Sequence, residues 1–195
     1  EAIFKETQPQ LVFHAAAYKQ PILMEDYVSE ALQVNVLGTM NIADLAVKYK
    51  VCRMILISTD QTVQLEHIVG YSKRLSELYV QSLGQKLQKE KGLGGSFIIV
   101  RFGDVYPDDP HSLMTLPEAC ALILEAGVMG RSGGVYVFEE TNKVASVPTW
   151  HDKIKCEVSS VYDYEQIYKI LSELVEHSYT EKNAVLLSEI KKIVP

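Results

Sequence analysis

Three groups of residues in this chain combine side-chain types and spacings that chemistry can use. Ser58-Thr59-Asp60 sets two hydroxyls beside a carboxylate, a grouping able to hold a polar ligand and to pass a proton. Lys73 follows on the next predicted helix and supplies a cation. In His14-Ala15-Ala16-Ala17-Tyr18-Lys19, a run of small side chains would let the backbone approach a flat or phosphorylated ligand. That run reads equally as a tightly packed strand-to-helix turn. What joins the three groups is their place: each falls where a predicted strand ends or the helix after it begins. In an open α/β sheet, ligands bind outside the carboxyl ends of the strands.

The elements that must position them follow from the pattern of apolar residues. Leu11-Val12-Phe13-His14-Ala15 and Arg53-Met54-Ile55-Leu56-Ile57-Ser58 are short runs rich in β-formers, as buried parallel strands are. Phe97–Arg101 and Gly134-Val135-Tyr136-Val137-Phe138 repeat the pattern. Between the first two strands, Leu32, Val36, Met40, Ala43 and Val47 recur at helical spacing and predict one long helix from Met24 to Tyr49. A second helix is expected from Ser72 to Glu90, stopped by Lys91-Gly92-Leu93-Gly94-Gly95. Thr115-Leu116-Pro117-Glu118 opens a third with a capping box and a proline in the first turn, and Gly127 is expected to end it. Two short helices, joined near Ser178, fill Tyr164 to Val194. Strands alternating with helices give an α/β fold with a Rossmann-like parallel sheet flanked by helices. The chain divides into residues 1–148 and a C-terminal helical tail, 149–195.

Composition narrows the function classes. Of 195 residues, 47% are hydrophobic and 23% charged, with a net charge of −6, which fits one folded core and disfavours disorder. No basic cluster is available to neutralise phosphates, so no nucleic-acid partner is expected. The longest apolar runs fall far short of the roughly 20 residues of a membrane span. Cys52, Cys120 and Cys156 are odd in number and widely spaced, which predicts buried, reduced thiols and a cytoplasmic setting. His67, His111, His151 and His177 lack metal-ligand spacing, so no metal is expected. Trp150 is expected to pack at the junction with the tail, and Glu165, Lys169, Glu173 and Glu176 to form a solvated face with Glu165 paired to Lys169. The start at Glu1 has neither a basic region nor an apolar one, so no signal peptide is expected, and the absence of Met at position 1 suggests a trimmed or partial chain.

Six motifs, in order, resemble the CapD-type polysaccharide biosynthesis proteins, bacterial nucleotide-sugar 4,6-dehydratases and epimerases of the extended short-chain dehydrogenase/reductase superfamily. They are His14-Ala15-Ala16-Ala17-Tyr18-Lys19, Val34-Asn35-Val36-Leu37-Gly38-Thr39, Ile57-Ser58-Thr59-Asp60, Gly70-Tyr71-Ser72-Lys73-Arg74, Val100-Arg101-Phe102-Gly103 and Met114-Thr115-Leu116-Pro117-Glu118-Ala119. The resemblance implies NAD as cofactor and a UDP-sugar, of the UDP-N-acetylglucosamine type, as substrate and partner. The sugar would be oxidised at C4, lose water across C5 and C6, and regain the hydride at C6. Carried over by motif, Ala15, Ala16, Tyr18, Ser58 and Lys73 bind the cofactor and Asn35 braces the helix behind it. Thr59 and Asp104 touch the substrate, and Thr59, Asp60 and Lys73 are catalytic, with Asp60 the acid for the departing C6 oxygen. A homo-oligomer is compatible with the resemblance.

The departures from the pattern matter too. Gln61 stands where the family has Lys, and a carboxamide takes no proton at neutral pH. Val69 stands where the superfamily has Tyr and large CapD-type members have Met, and Asp104 where Asn is usual. No G-x-G-x-x-G phosphate loop occurs. The expectation is therefore a cofactor fold incomplete at the N-terminus that binds NAD weakly by itself. The alternatives are a nucleotide-sugar epimerase, or a catalytically silent relative serving as a binding or assembly module.

Overall fold

A computed structural model describes residues 1–63, 65–90, 95–103, 114–138, 145–158 and 160–194. Six strands form one sheet in the order β1-β2-β3-β4-β6-β5. The first four, β1 (Leu11–His14), β2 (Arg53–Thr59), β3 (Ser96–Phe102) and β4 (Val135–Phe138), are parallel. Register places His14 beside Leu56, Ser58 beside Arg101 and Thr59 beside Phe102. The reading of a parallel sheet needs one correction: β5 (Ser146–Pro148) and β6 (Ile154–Glu157) are antiparallel and extend it beyond β4. Three or four mixed residues each are too short to show a hydrophobic period.

Alternate side chains of the central strands enter opposite cores, as strands covered on both faces must. Met54, Leu56, Phe97 and Ile99 join a cluster with α4 (Gly38–Lys48), α5 (Ile68–Lys89), α7 (Tyr164–His177) and α8 (Asn183–Ile193). Ile55, Ile98 and Val100 join a second cluster with α6 (Leu116–Met129), β4 and β6. The tail contributes Leu171, Leu174, Val175, Leu186 and Ile190 to the first cluster.

The single helix expected over 24–49 is divided. The chain forms α2 (Pro21–Glu25) and α3 (Val28–Ala31), then a π-helical segment over Leu32–Leu37 that leads into α4. Two interactions account for the irregularity. At the end of α2 the Glu25 side chain accepts the Ile68 backbone N–H at 2.7 Å, capping α5 where its own N-cap residue, His67, makes no capping bond. The Asn35 carbonyl accepts hydroxyls from Thr39 at 2.6 Å and Ser76 at 2.7 Å, and such side-chain competition favours a widened turn.

The Thr115 capping box forms: Glu118 N donates to Thr115 Oγ1 at 3.4 Å, and Glu118 Oε2 accepts from Thr115 N at 3.0 Å. The helix it opens runs past Gly127 to a cap at Gly130, since a single glycine is tolerated inside a packed helix. Cys52 and Cys120 are exposed and Cys156 is half-buried, not buried as expected. Trp150 is 69% exposed and does not pack at the junction. Glu165 binds Lys86 of α5 at 2.7 Å, and Lys169 pairs with Glu173 one turn on, so the tail's charged face is used partly for docking. The loop at 104–111 and most of the irregular stretch at 139–148 lie outside the described residues, as do His111 and the glycine-rich turn at 91–94. Among the described residues no helix is long and apolar enough to cross a membrane.

Candidate functional site

The parallel strands all point the same way, so the residues just past their carboxyl ends share one rim of the sheet. At the end of β2 the chain turns at once through a short 3₁₀ helix, Asp60–Thr62. Thr59 Oγ1 donates to Asp60 Oδ1 at 3.1 Å and accepts from Gln61 N at 3.4 Å, while Thr62 Oγ1 donates to the Thr59 carbonyl at 2.8 Å. The turn is pressed onto α5 at Gly70, where a Cβ would lie 2.7 Å from the Gln61 carbonyl oxygen. Only glycine admits that approach. The Asp60 carboxylate reaches towards the end of β3, its Oδ2 standing 3.4 Å from where a Cβ on Gly103 would be.

Lys73 comes to the same rim from the other side of the turn. Its ammonium donates to the Ile57 carbonyl at 3.0 Å, and Ile57 is the first β2 residue beyond the last one paired with β1. The side chain is only 8% exposed, and among the described residues it has no carboxylate partner within 4 Å. An ammonium has three protons to donate. Burial is the largest influence on it and pushes its pKa down to about 8, against a smaller upward pull from Glu77 and a further lowering by Lys19. His14, buried at the end of β1, is held neutral, its pKa lowered to about 4 by burial and by the nearby Lys73. His14 Nε2 and Thr39 Oγ1 lie 3.0 Å apart.

Asn35 ties these parts together. Its Oδ1 accepts from Tyr18 N at 2.8 Å, and its Nδ2 donates to Tyr18 O at 3.0 Å and to Ser72 Oγ at 2.9 Å. One buried carboxamide therefore fixes the chain leaving β1 against the residue that precedes Lys73. The bracing role expected of Asn35 has this physical form. Ala15, Ala16 and Tyr18 remain exposed on the far side of that brace. Ser58 is buried in β2; its hydroxyl makes no hydrogen bond of ordinary geometry but faces the Glu77 carboxylate and helps keep it ionised.

Of the residues singled out from sequence, Ala15, Ala16, Tyr18, Thr59, Asp60 and Lys73 thus gather at one rim, while the Ser58 hydroxyl turns behind it to Glu77. Asp104 lies outside the described residues. Val69, one turn before Lys73, is buried and offers no hydroxyl, and Tyr71 packs against the core instead. Sequence reasoning passed over a buried charge cluster behind the rim. Arg101 donates through Nε to Glu77 Oε1 at 2.7 Å and through Nη2 to Glu77 Oε2 at 2.5 Å, and its Nη1 pairs with Glu157. Arg74 completes it, donating to Glu77 Oε2 at 3.0 Å and to Tyr162 Oη at 3.2 Å. The signal that could have found it is the i, i+3 spacing of Arg74 and Glu77 on a helix otherwise buried there. The described residues hold no group of three or more metal-ligating side chains.

A buried ammonium with donors to spare, and exposed Ala15 and Ala16 leading into the Tyr18 backbone that Asn35 holds, suit the ribose and the flat ring of a nicotinamide nucleotide.

Comparison with known proteins identifies the family and the fold. The family described as "Polysaccharide biosynthesis protein" matches residues 1–108. The capsular polysaccharide biosynthesis protein CapD of Staphylococcus aureus is 34% identical over 161 residues, covering 70% of this chain. The chain spans only 26% of CapD. The UDP-glucose 4-epimerase of Rickettsia canadensis is 31% identical over 151 residues, which cover 65% of this chain and 43% of that enzyme. Among solved structures, the Thermus thermophilus UDP-glucose 4-epimerase, in complex with NAD, superposes with a TM-score of 0.58 at 15% identity, over 90% of this chain and 65% of that one. Its likeness shows a Rossmann-type fold. The matched motifs, the sheet and the family match over more than half its length make this chain a member of the polysaccharide biosynthesis protein family.

Proposed function

We propose that this chain forms part of a cytoplasmic, NAD-dependent nucleotide-sugar 4,6-dehydratase acting on a UDP-N-acetylglucosamine-type substrate. The observation that carries the reading is the shared rim: a carboxylate with a hydroxyl bonded to it, and a buried cation with no carboxylate within 4 Å among the described residues, at the carboxyl end of one strand. When bound, NAD would accept a hydride from the sugar and later return it. Ala15, Ala16, Tyr18 and Lys73 would hold it, and Ser58, turned to Glu77, would back the site.

The chain's own residues then have distinct tasks. Thr59 orients the Asp60 carboxyl by the bond to Oδ1 and presents the rest of its hydrogen-bonding capacity to the sugar. Asp60, in its protonated form, delivers a proton to the departing C6 oxygen. Lys73 places positive charge where electron density grows as C4 is oxidised, and the low dielectric around it strengthens that effect. Gln61 holds the turn and supplies no base, so the C4 hydroxyl proton and the C5 proton pass to solvent water and turnover is slow.

A silent relative is the competing reading, favoured by Gln61 and by Val69, which puts no hydroxyl one turn before Lys73. Product mass separates the two. Incubation of the full-length protein with NAD and UDP-N-acetylglucosamine is expected to yield a nucleotide sugar lighter by one water, and Lys73→Met to yield none. Recovery of the sugar at unchanged mass overturns the dehydratase reading; an altered C4 configuration in that material would mark an epimerase.

A further inference from the structure

Behind the rim, the Glu77 carboxylate lies one helical turn from Lys73 on the same face of α5, since residues four apart are neighbours on a helix. It is fully buried and fully engaged, with two bonds from Arg101 on β3 and one from Arg74. The strands bring the two sites together: Arg101 stands in register with Ser58, the residue after the one whose carbonyl holds the Lys73 ammonium. Glu157 of β6 takes the remaining Arg101 nitrogen, and Tyr162, just before α7, takes Arg74. Loss of Glu77 therefore removes a negative charge one turn from Lys73, and loss of Arg74 removes a positive one.

Bonds from two arginines to one buried carboxylate exceed what packing here requires, because replacing a buried ion pair with apolar residues of like volume is often neutral or stabilising. We propose that Glu77, clamped by Arg101 and Arg74, is a positioning residue for Lys73, setting the charge that the ammonium presents at the sheet rim. This deepens the reading of Lys73 as a nucleotide-binding cation. The other groups around Lys73 cannot do the same work. His14 on β1 is neutral above about pH 4, Lys19 repels, and Asp60 on the turn reaches towards Gly103. Glu77 provides the upward pull against burial.

The test reads Lys73 itself, without nucleotide. In protein carrying ¹³C-labelled lysine, the resonance that disappears in Lys73→Met is followed against pH by NMR. The wild-type midpoint is expected near 8. Glu77→Gln removes a negative charge and should lower the midpoint by about one unit, a tenfold change in the proton equilibrium. Arg74→Gln removes a positive charge and should raise it. Opposite signs from two neighbours are not what a purely structural role produces. Unchanged midpoints, or shifts of the same sign, overturn the proposal. If Glu77→Gln does not fold, Arg74→Gln decides alone: a rise supports the proposal, and no change or a fall overturns it. Because no nucleotide is present, the result stands apart from the success or failure of the dehydratase reading.

Discussion

At the scale of the residue, this site depends on two basic groups forced into a poorly solvating place. His14 titrates near 4 in the folded chain, against an ordinary value of 6.5. Between those values the unfolded chain binds more protons, so stability rises with pH across this window and falls as pH drops from about 6.5 towards 4. The loss is on the order of 2 kcal/mol after screening by residual solvent. His14→Gln should flatten that part of a plot of urea midpoint against pH; a curve unchanged from wild type would show that His14 is solvated after all. Little of this was legible in the sequence. Asp60, Lys73 and their neighbours announced themselves by type and by place after a strand. The Arg101–Glu77 pair did not, because a strand residue and a helix residue 24 positions apart share no local pattern.

At the scale of the element, the turn after β2 is placed by backbone contact with α5. Gly70→Ala would put a methyl group 2.7 Å from the Gln61 carbonyl, and relief requires the turn to shift. The expected cost is about 1–3 kcal/mol of stability. A larger loss is expected in nucleotide binding, because Thr59 and Asp60 move with the turn. Thermal melts and calorimetric titration check the pair of effects; normal binding with normal stability would mean the turn has room to spare. Elements with strong periods were readable: β1 to β4, the interior of α5, and α6 with its capping box. Where the reading failed, tertiary bonds won over local pattern. Asn35 binds Ser76 and Glu25 caps α5, and these distant partners interrupt a helix that the spacing of Leu32, Val36 and Met40 predicts as continuous. β6 gains its strand form from β4, and β5 in turn from β6, not from their own sequence.

At the scale of the whole molecule, α7 and α8 share a core with the helices that carry Lys73 and Asn35. Leu174, in that core, is almost fully buried. Leu174→Ala should cost about 2–5 kcal/mol and lower the unfolding transition as one cooperative step; a separate early transition confined to the tail would show that the tail folds independently. The order of the motifs along the chain made the family legible before any coordinates. What joins their ends into one rim is the parallel register of the sheet, a long-range property that no short motif encodes.

The central claim is that one sheet rim, carrying Tyr18, Thr59, Asp60 and Lys73, binds the nucleotide. Hydrogen–deuterium exchange of the full-length protein, with and without saturating NAD and UDP-N-acetylglucosamine, tests it most directly. The account predicts slowed exchange in peptides spanning 14–19, 57–62 and 70–76. Unchanged exchange there, with protection instead at the opposite edge around Asp44, Cys52 and Lys86, would contradict it.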